Sequence, residues 1–238
     1  MTDDVKPRRA YRSTKRAEQA ARTRHAITHA AGALFRARGY AAVSMPLIAS
    51  EAGVAVETLY RAFGSKAGLI KAVIDAAVAG GNNRADVPVE KRPAIRAIIE
   101  EPDPRRQVAL YAATQPGIHR RSGPLLRALQ GGAAADPELR ELWMDIELSR
   151  LAGQGGFVGM LAERGALRPG LSLDDARDQL WALCSLAIHD MYVDMLGWSD
   201  DRYEAWLGAT LQELLLVQTK RRPPASHGRR SSVDRVEG

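Results

Sequence analysis

Apolar residues recur at spacings of three and four along most of the chain, and no segment shows the sustained alternation of a half-buried strand. The first stripe, Ala26, Ile27, Ala30, Ala31, Leu34 and Phe35, predicts an amphipathic helix over residues 15–38. Gly39 ends it in the left-handed position that follows many helices. Ser44 is a capping residue, and Pro46 lies in the first turn of a short helix over 46–52 that Gly53 stops. A second short helix is predicted over 56–63 and ends at Gly64. Ser65 then caps a longer one over 66–78.

Gly80, Gly81, Asn82, Asn83 and the Pro88 region read as a connection. Further helices are predicted over 90–99 and 104–119, the second kinked or ended by Pro116, with another over 123–131. Asp136-Pro137-Glu138 opens a long helix with Leu139, Leu142, Trp143, Ile146 and Leu151 on one face, its second half weakened by Gly153, Gly155, Gly156 and Gly159. Ser172 opens a helix predicted to reach about residue 196. Ser199 caps the last one, which carries Trp206, Leu207, Leu211, Leu214 and Leu215. The pattern is all-α, with no internal repeat.

Composition narrows the class. With 238 residues, 45% hydrophobic and 26% charged, the chain can bury a sizeable core without metals or crosslinks. Cys184 is its single cysteine, so no intrachain disulfide can form. No apolar run approaches the ~20 residues of a membrane span, and the basic N-terminus does not read as a signal peptide, so a cytoplasmic location is expected.

Charge changes the picture more. Residues 1–40 carry ten Lys/Arg against three Asp/Glu, and residues 219–238 carry six against two, so the body between them is acidic although the net charge is +6. The expected layout is a disordered basic arm over 1–14, helical units over 15–64 and 65–218, and a disordered basic tail over 219–238. In the arm, Lys6, Arg8, Arg9, Arg12, Lys15 and Arg16 suit phosphate or a minor groove, because each neutralised phosphate releases counterions. A solvated tail of no further role is the alternative for both basic segments.

Helix, short helix, glycine turn, short helix is the layout of a helix-turn-helix. Ala49 and Ala52 are small where two helices must cross, Gly53 supplies the turn, and Val54, Leu59 and Phe63 can anchor the second helix. One face of 56–62 is then left for a major groove. The stretch ITHAAGALFRARGYAAVSMPLIASEAGVAVETLYRAFGSKAGLIKAVI resembles the DNA-binding domain of the TetR family of transcriptional regulators. The matching positions are Ile48-Ala49, Ala52-Gly53-Val54, Leu59-Tyr60, Phe63 and Ser65-Lys66.

The resemblance implies phosphate contacts at Ser44, Tyr60 and Lys66, and base reading from Val56, Glu57 and Thr58, with Arg61 in reach of guanine or phosphate. The sequence departs from the family at Ala55, usually a Ser or Thr cap, at Ala62, commonly His or Tyr, and at Leu47, more often polar. Glu57 is acidic in a helix meant for DNA.

The runs LSLDDARDQLWAL and MLGWSDDRYEAWLGATLQELLL resemble the last two helices of many TetR-family members, which pair between two chains. Leu180, Leu183, Ala187, Met191, Trp206, Leu211 and Leu215 give apolar faces broad enough for a homodimer, the symmetry a palindromic operator needs. Residues 85–170, between the two matches, resemble nothing specific, but the family resemblance implies that this region encloses a pocket for a small apolar or amphipathic effector. Its candidate lining residues are Tyr111, Trp143, Met144, Phe157 and Met160, each of which also suits ordinary core packing.

His119 and His189 stand isolated in the sequence, Cys184 reads as an inert core residue, and no Cys/His spacing fits a metal. No catalytic constellation, cofactor or metal is therefore expected. The leading expectation is a dimeric, ligand-responsive repressor binding a palindromic double-stranded operator. A DNA-binding regulator governed by a partner protein, and an all-helical enzyme, are the alternatives.

Overall fold

The computed structural model describes residues 7–217, and the side chains of these except 7–14, 82 and 83. The described chain is helical, with one isolated bridge between Leu167 and Leu216. Residues 1–6 of the expected arm and the expected tail lie outside the described residues.

Helix α1 spans Pro7–Arg38. It starts before residue 15, with Pro7 in the first helical position, where a missing N–H removes no intrahelical bond. Helix α2 (Met45–Ala52) is capped by the Ser44 hydroxyl, which accepts from the Leu47 N–H at 3.3 Å. Gly53 closes α2 at φ 65°, the turn conformation a side chain would strain. Helix α3 is Val56–Phe63 and α4 is Lys66–Ala79.

The connection after α4 contains a short helix α5 (Asn82–Ala85) and a 3₁₀ turn (Val89–Lys91) before α6 (Pro93–Glu100). Helix α7 (Pro104–Ala133) is the hub, packing on α1, α4, α6, α8, α10 and α11. Helix α8 spans Pro137–Glu163, with the Asp136 carboxylate accepting from the Glu138 and Leu139 N–H groups at its start.

Two expectations fail here. Residues 104–133 form one helix, although Pro116 and Pro124 lie inside it. An interior proline costs about 3 kcal/mol in an isolated helix; burial of Val108, Ala112, Leu125 and Leu129 on either side of the prolines carries α7 across them. The helix opened by Ser172, in turn, does not run to residue 196. It divides into α9 (Leu173–Leu183), α10 (Leu186–Asp190) and a π-helical turn (Met191–Met195). The break is local chemistry: the Ser185 hydroxyl accepts from the Ile188 N–H at 3.4 Å and so starts a new helix. Helix α11 spans Asp200–Leu215 behind its Ser199 cap.

Side chains form two cores. The first joins Ile27, Phe35, Ile48, Leu59, Leu69 and Ile74 of α1–α4 to Leu125 and Leu129 of α7 and Leu139 and Leu142 of α8. It thus continues past residue 64. The second gathers Ile98, Val108, Phe157, Leu161, Leu180, Tyr203, Leu207 and Leu211 from α6–α9 and α11. Cys184 belongs to it, and burial pushes its thiol up to about 12. Among the described residues no helix is long and apolar enough to cross a membrane.

Candidate nucleic-acid interface

Helix α3 is two turns long and owes its position to its inner face. Leu59 is fully buried, and Val56 and Phe63 pack against the same core from either end. Arg24 of α1 fastens the far end: its guanidinium lies 4.3 Å from the centre of the Phe63 ring and donates to the Ala62 carbonyl at 2.8 Å. Ala55 at the N-cap makes no side-chain hydrogen bond, so α3 starts without the usual cap.

On the outer face Glu57, Tyr60 and Arg61 are exposed together, as spacings of three and four require. Tyr60 is 51% exposed, with its hydroxyl available at the surface. Thr58 and Val56 are half-buried at the flanks, and Ser44 is exposed at the start of α2.

Lys66 begins α4 and is half-buried, its ammonium 4.0 Å from the centre of the Tyr40 ring. Burial pushes this ammonium down, and the Asp136 carboxylate opposes that shift. Burial, helped by Glu138 and Asp136, pushes the Tyr40 hydroxyl up to about 12. Ser65 does two things. Its oxygen accepts from the Gly68 N–H at 3.0 Å, and its hydroxyl donates to Glu138 Oε1 at 2.8 Å, tying the start of α4 to the start of α8.

The turn between α3 and α4 is tight: a β-carbon on Gly68 would sit 2.2 Å from the Phe63 carbonyl oxygen. Arg24, Tyr40 and Gly68 carry no assignment from the sequence, and Glu138 is marked there only as part of a helix start. A glycine in the first turn of a helix was the one available signal, since it opposes local propensity. Arg24 and Glu138 act across 38 and 73 residues, and no local pattern marks them.

The residues expected to line a pocket divide. Tyr111 and Phe157 stack at 4.3 Å, and Met160 packs against the same second core. Trp143 packs on the first core instead, and Met144 is 52% exposed. The reason is length: at ~1.5 Å per residue, positions 143 and 157 on α8 lie roughly 20 Å apart. The apolar faces expected to pair two chains also divide. Leu180, Leu211 and Leu215 are fully buried within the monomer, Leu183 and Trp206 are half-buried on the second core, and Ala187 and Met191 are exposed. Sequence periodicity marks an apolar face without saying what covers it.

Residues 27–73 match the family described as bacterial regulatory proteins, tetR family. No curated protein matches the chain. Solved structures share its fold. NalD, the secondary repressor of the MexAB-OprM multidrug efflux pump in Pseudomonas aeruginosa, is 22% identical with a TM-score of 0.61, over 84% of this chain and 98% of its own. The fatty acid degradation regulator FadR from Bacillus halodurans is 15% identical with a TM-score of 0.62, over 80% and 94%. The transcriptional regulator FadR from Bacillus subtilis, in complex with stearoyl-CoA, is 18% identical with a TM-score of 0.60, over 78% and 96%.

Proposed function

We propose that this chain, whose residues 27–73 match the tetR family of bacterial regulatory proteins, is a dimeric, ligand-responsive repressor that inserts α3 into the major groove of a palindromic operator. The observation that carries this reading is the outer face of α3. Glu57, Tyr60 and Arg61 stand exposed on a short helix whose opposite face is locked into a core, so the helix is presented rigidly and none of the described residues covers its outer face.

Within that reading Ser44, Tyr60 and Lys66 hold phosphates, and Val56, Glu57 and Thr58 face base edges. Arg61 takes guanine or a phosphate. Lys66 must lift from the Tyr40 ring to reach a phosphate at the N-terminus of α4, where helix amides add to its charge. Residues 15–64 serve as the DNA-binding unit and 65–218 as the regulatory and dimerisation unit. A dimer presents two recognition helices at the ~34–36 Å that separates half-sites one turn apart.

An apolar or amphipathic effector enters the second core, near Tyr111, Phe157 and Met160. It releases DNA only by binding more tightly to a form whose helix spacing no longer matches the operator. The stearoyl-CoA complex of the Bacillus subtilis FadR, which shares this fold, supports a ligand-responsive reading.

The test is a set of three substitutions read on several duplexes. Tyr60→Phe and Lys66→Ala should weaken binding by similar factors on all sequences, and Lys66→Ala should reduce the salt slope by about one. Glu57→Ala should instead change which sequence is preferred. Unchanged titrations for the first two variants would remove the phosphate assignments.

A further inference from the structure

The second core is crossed by a seam of polar side chains. Along α7, Gln107, Tyr111, Gln115, His119 and Ser122 follow one another at steps of three and four, on one face. Some are satisfied: Gln107 donates to the Ile98 carbonyl at 2.9 Å, Gln115 to Thr114 Oγ1 at 3.0 Å, and Ser122 to the Ile118 carbonyl at 2.8 Å.

Others are not. Among the described residues, both ring nitrogens of His119, Nε2 of His189, the Tyr203 hydroxyl and Oε1 of Gln154 are buried without a well-formed hydrogen bond; the Cys184 backbone faces the His119 ring, but its carbonyl already accepts from Arg150. His119 and His189 are each 6% exposed and Tyr203 is fully buried. Three of these groups are neighbours. The two imidazoles, isolated in the sequence, lie 4.8 Å apart between ring centres, and His189 meets the Tyr203 ring at 5.2 Å. The Tyr111 hydroxyl, beside Gln154 and Cys184, extends the same seam toward Phe157.

Native cores carry few such atoms, because each gives up its water and gains nothing for it. Several together, contributed by α7, α10 and α11, form a set of donors and acceptors awaiting something. Their charge state defines what. Burial and the neighbouring His189 push His119 down to about 3, so at neutral pH it is an uncharged ring with one donor and one acceptor. The nearby charges are already matched. Arg150 pairs with Glu147 at 2.7 Å and donates to the Trp181 and Cys184 carbonyls, and Asp190 pairs with Arg127 at 2.7 Å. A charged ligand would lose its hydration here, and the charges nearest the cluster, Arg150 and the Asp190 carboxylate 3.5 Å from His189 Nδ1, are already held by Glu147 and Arg127. The wall beside the cluster is also the least regular part of the domain. His189 leads directly into the π-helical turn Met191–Met195, whose Met191 and Met195 are exposed, and such turns accompany binding sites in other helices.

We propose that His119, His189 and Tyr203 form the polar anchor of the effector site, and that it takes an uncharged molecule with an apolar body and a hydroxyl or carbonyl group. The apolar body lies toward Tyr111, Phe157 and Met160. This rests on the effector-responsive reading above and gives it a ligand class.

The test compares the full chain with His119→Leu and Tyr203→Phe. Without additives, both variants should melt at or above the wild-type temperature, because each loses a partnerless polar group. A fall of more than ~5 °C in both would show that these groups hold the fold together, and would overturn the proposal. The second arm titrates 1-octanol, octanoate and octylamine, and benzyl alcohol, benzoate and benzylamine, against melting temperature and against a bound duplex. An alcohol should raise the wild-type melting temperature and weaken DNA binding at least tenfold, its charged analogues should not, and each variant should need at least tenfold more of it. Equal action by a charged analogue, an unchanged response in the variants, or no response of the wild type to either alcohol would overturn it. Release that persists in both variants removes this site and leaves the effector-responsive reading standing. A wild type that responds in melting temperature yet binds no duplex removes that reading and leaves the site.

Discussion

Substituting Gly68 by alanine sets two effects of opposite sign against each other. Alanine is favoured over glycine inside a helix by about 1 kcal/mol, so propensity alone predicts a more stable protein. The structure predicts the reverse. The new β-carbon would lie 2.2 Å from the Phe63 carbonyl oxygen, a backbone atom that cannot rotate away. Ordinary carbon–oxygen contact begins near ~3.3 Å, so the end of α3 and the start of α4 must part by about 1 Å. Overpacking of this kind costs about 1–3 kcal/mol, and a backbone contact this short belongs at the upper end. The net is a loss of about 2 kcal/mol, or roughly 4–8 °C in melting temperature for a chain of this size. Function should suffer more than stability. A 1 Å displacement of α3 exceeds the ~0.5 Å window of a hydrogen bond, so Tyr60 and Arg61 would miss their partners and DNA affinity would fall tenfold or more. Circular-dichroism melts and anisotropy titrations on one duplex read both quantities. Gly131→Ala is the control, because a β-carbon there meets nothing within 4 Å, and it should stabilise α7 by up to about 1 kcal/mol. A Gly68→Ala protein that melts higher than wild type and binds DNA normally would refute the argument.

Other outcomes follow from the same contacts. Ser65→Ala removes a helix cap and the bond to Glu138, and should cost about 1 kcal/mol, read as a fall of roughly 2–4 °C in the thermal melt. Stability should also depend on pH through His119. Its folded value, about 3, lies below the ordinary 6.5, so between these limits the unfolded chain binds the extra proton. Stability from this group is complete above about pH 6.5 and declines as pH falls, by up to about 1.4 kcal/mol per pH unit. Urea titrations at pH 5 and pH 7 check this, and His119→Leu should flatten the difference.

The helix-turn-helix was legible because its instructions are local. Ser44, Gly53 and Ser65 each state a helix boundary within four residues of where it acts, and the structure shows all three doing so. The Asp136, Ser172 and Ser199 caps were readable in the same way. Ser185 carried an equally local signal, masked by the apolar residues around it. Pro116 and Pro124 misled in the other direction, since a rule for isolated helices gave way to packing on both flanks of α7. The second core was least legible. His119, His189 and Tyr203 meet across 84 residues of chain through three helices, and each looks unremarkable in its own neighbourhood. Leu211 and Leu215 show the same limit, because an apolar stripe is written identically whether its own domain or a second chain covers it.

The central claim is that α3 reads duplex DNA. It is tested most directly by incubating the purified full-length chain with random duplexes at low ionic strength, recovering and sequencing what binds, and repeating the titration across salt. The account predicts an inverted repeat with half-site centres about one helical turn apart, and an affinity that falls steeply and linearly with the logarithm of salt. Recovery of no duplex at any ionic strength, or binding untouched by loss of the Tyr60 and Arg61 side chains, would contradict it.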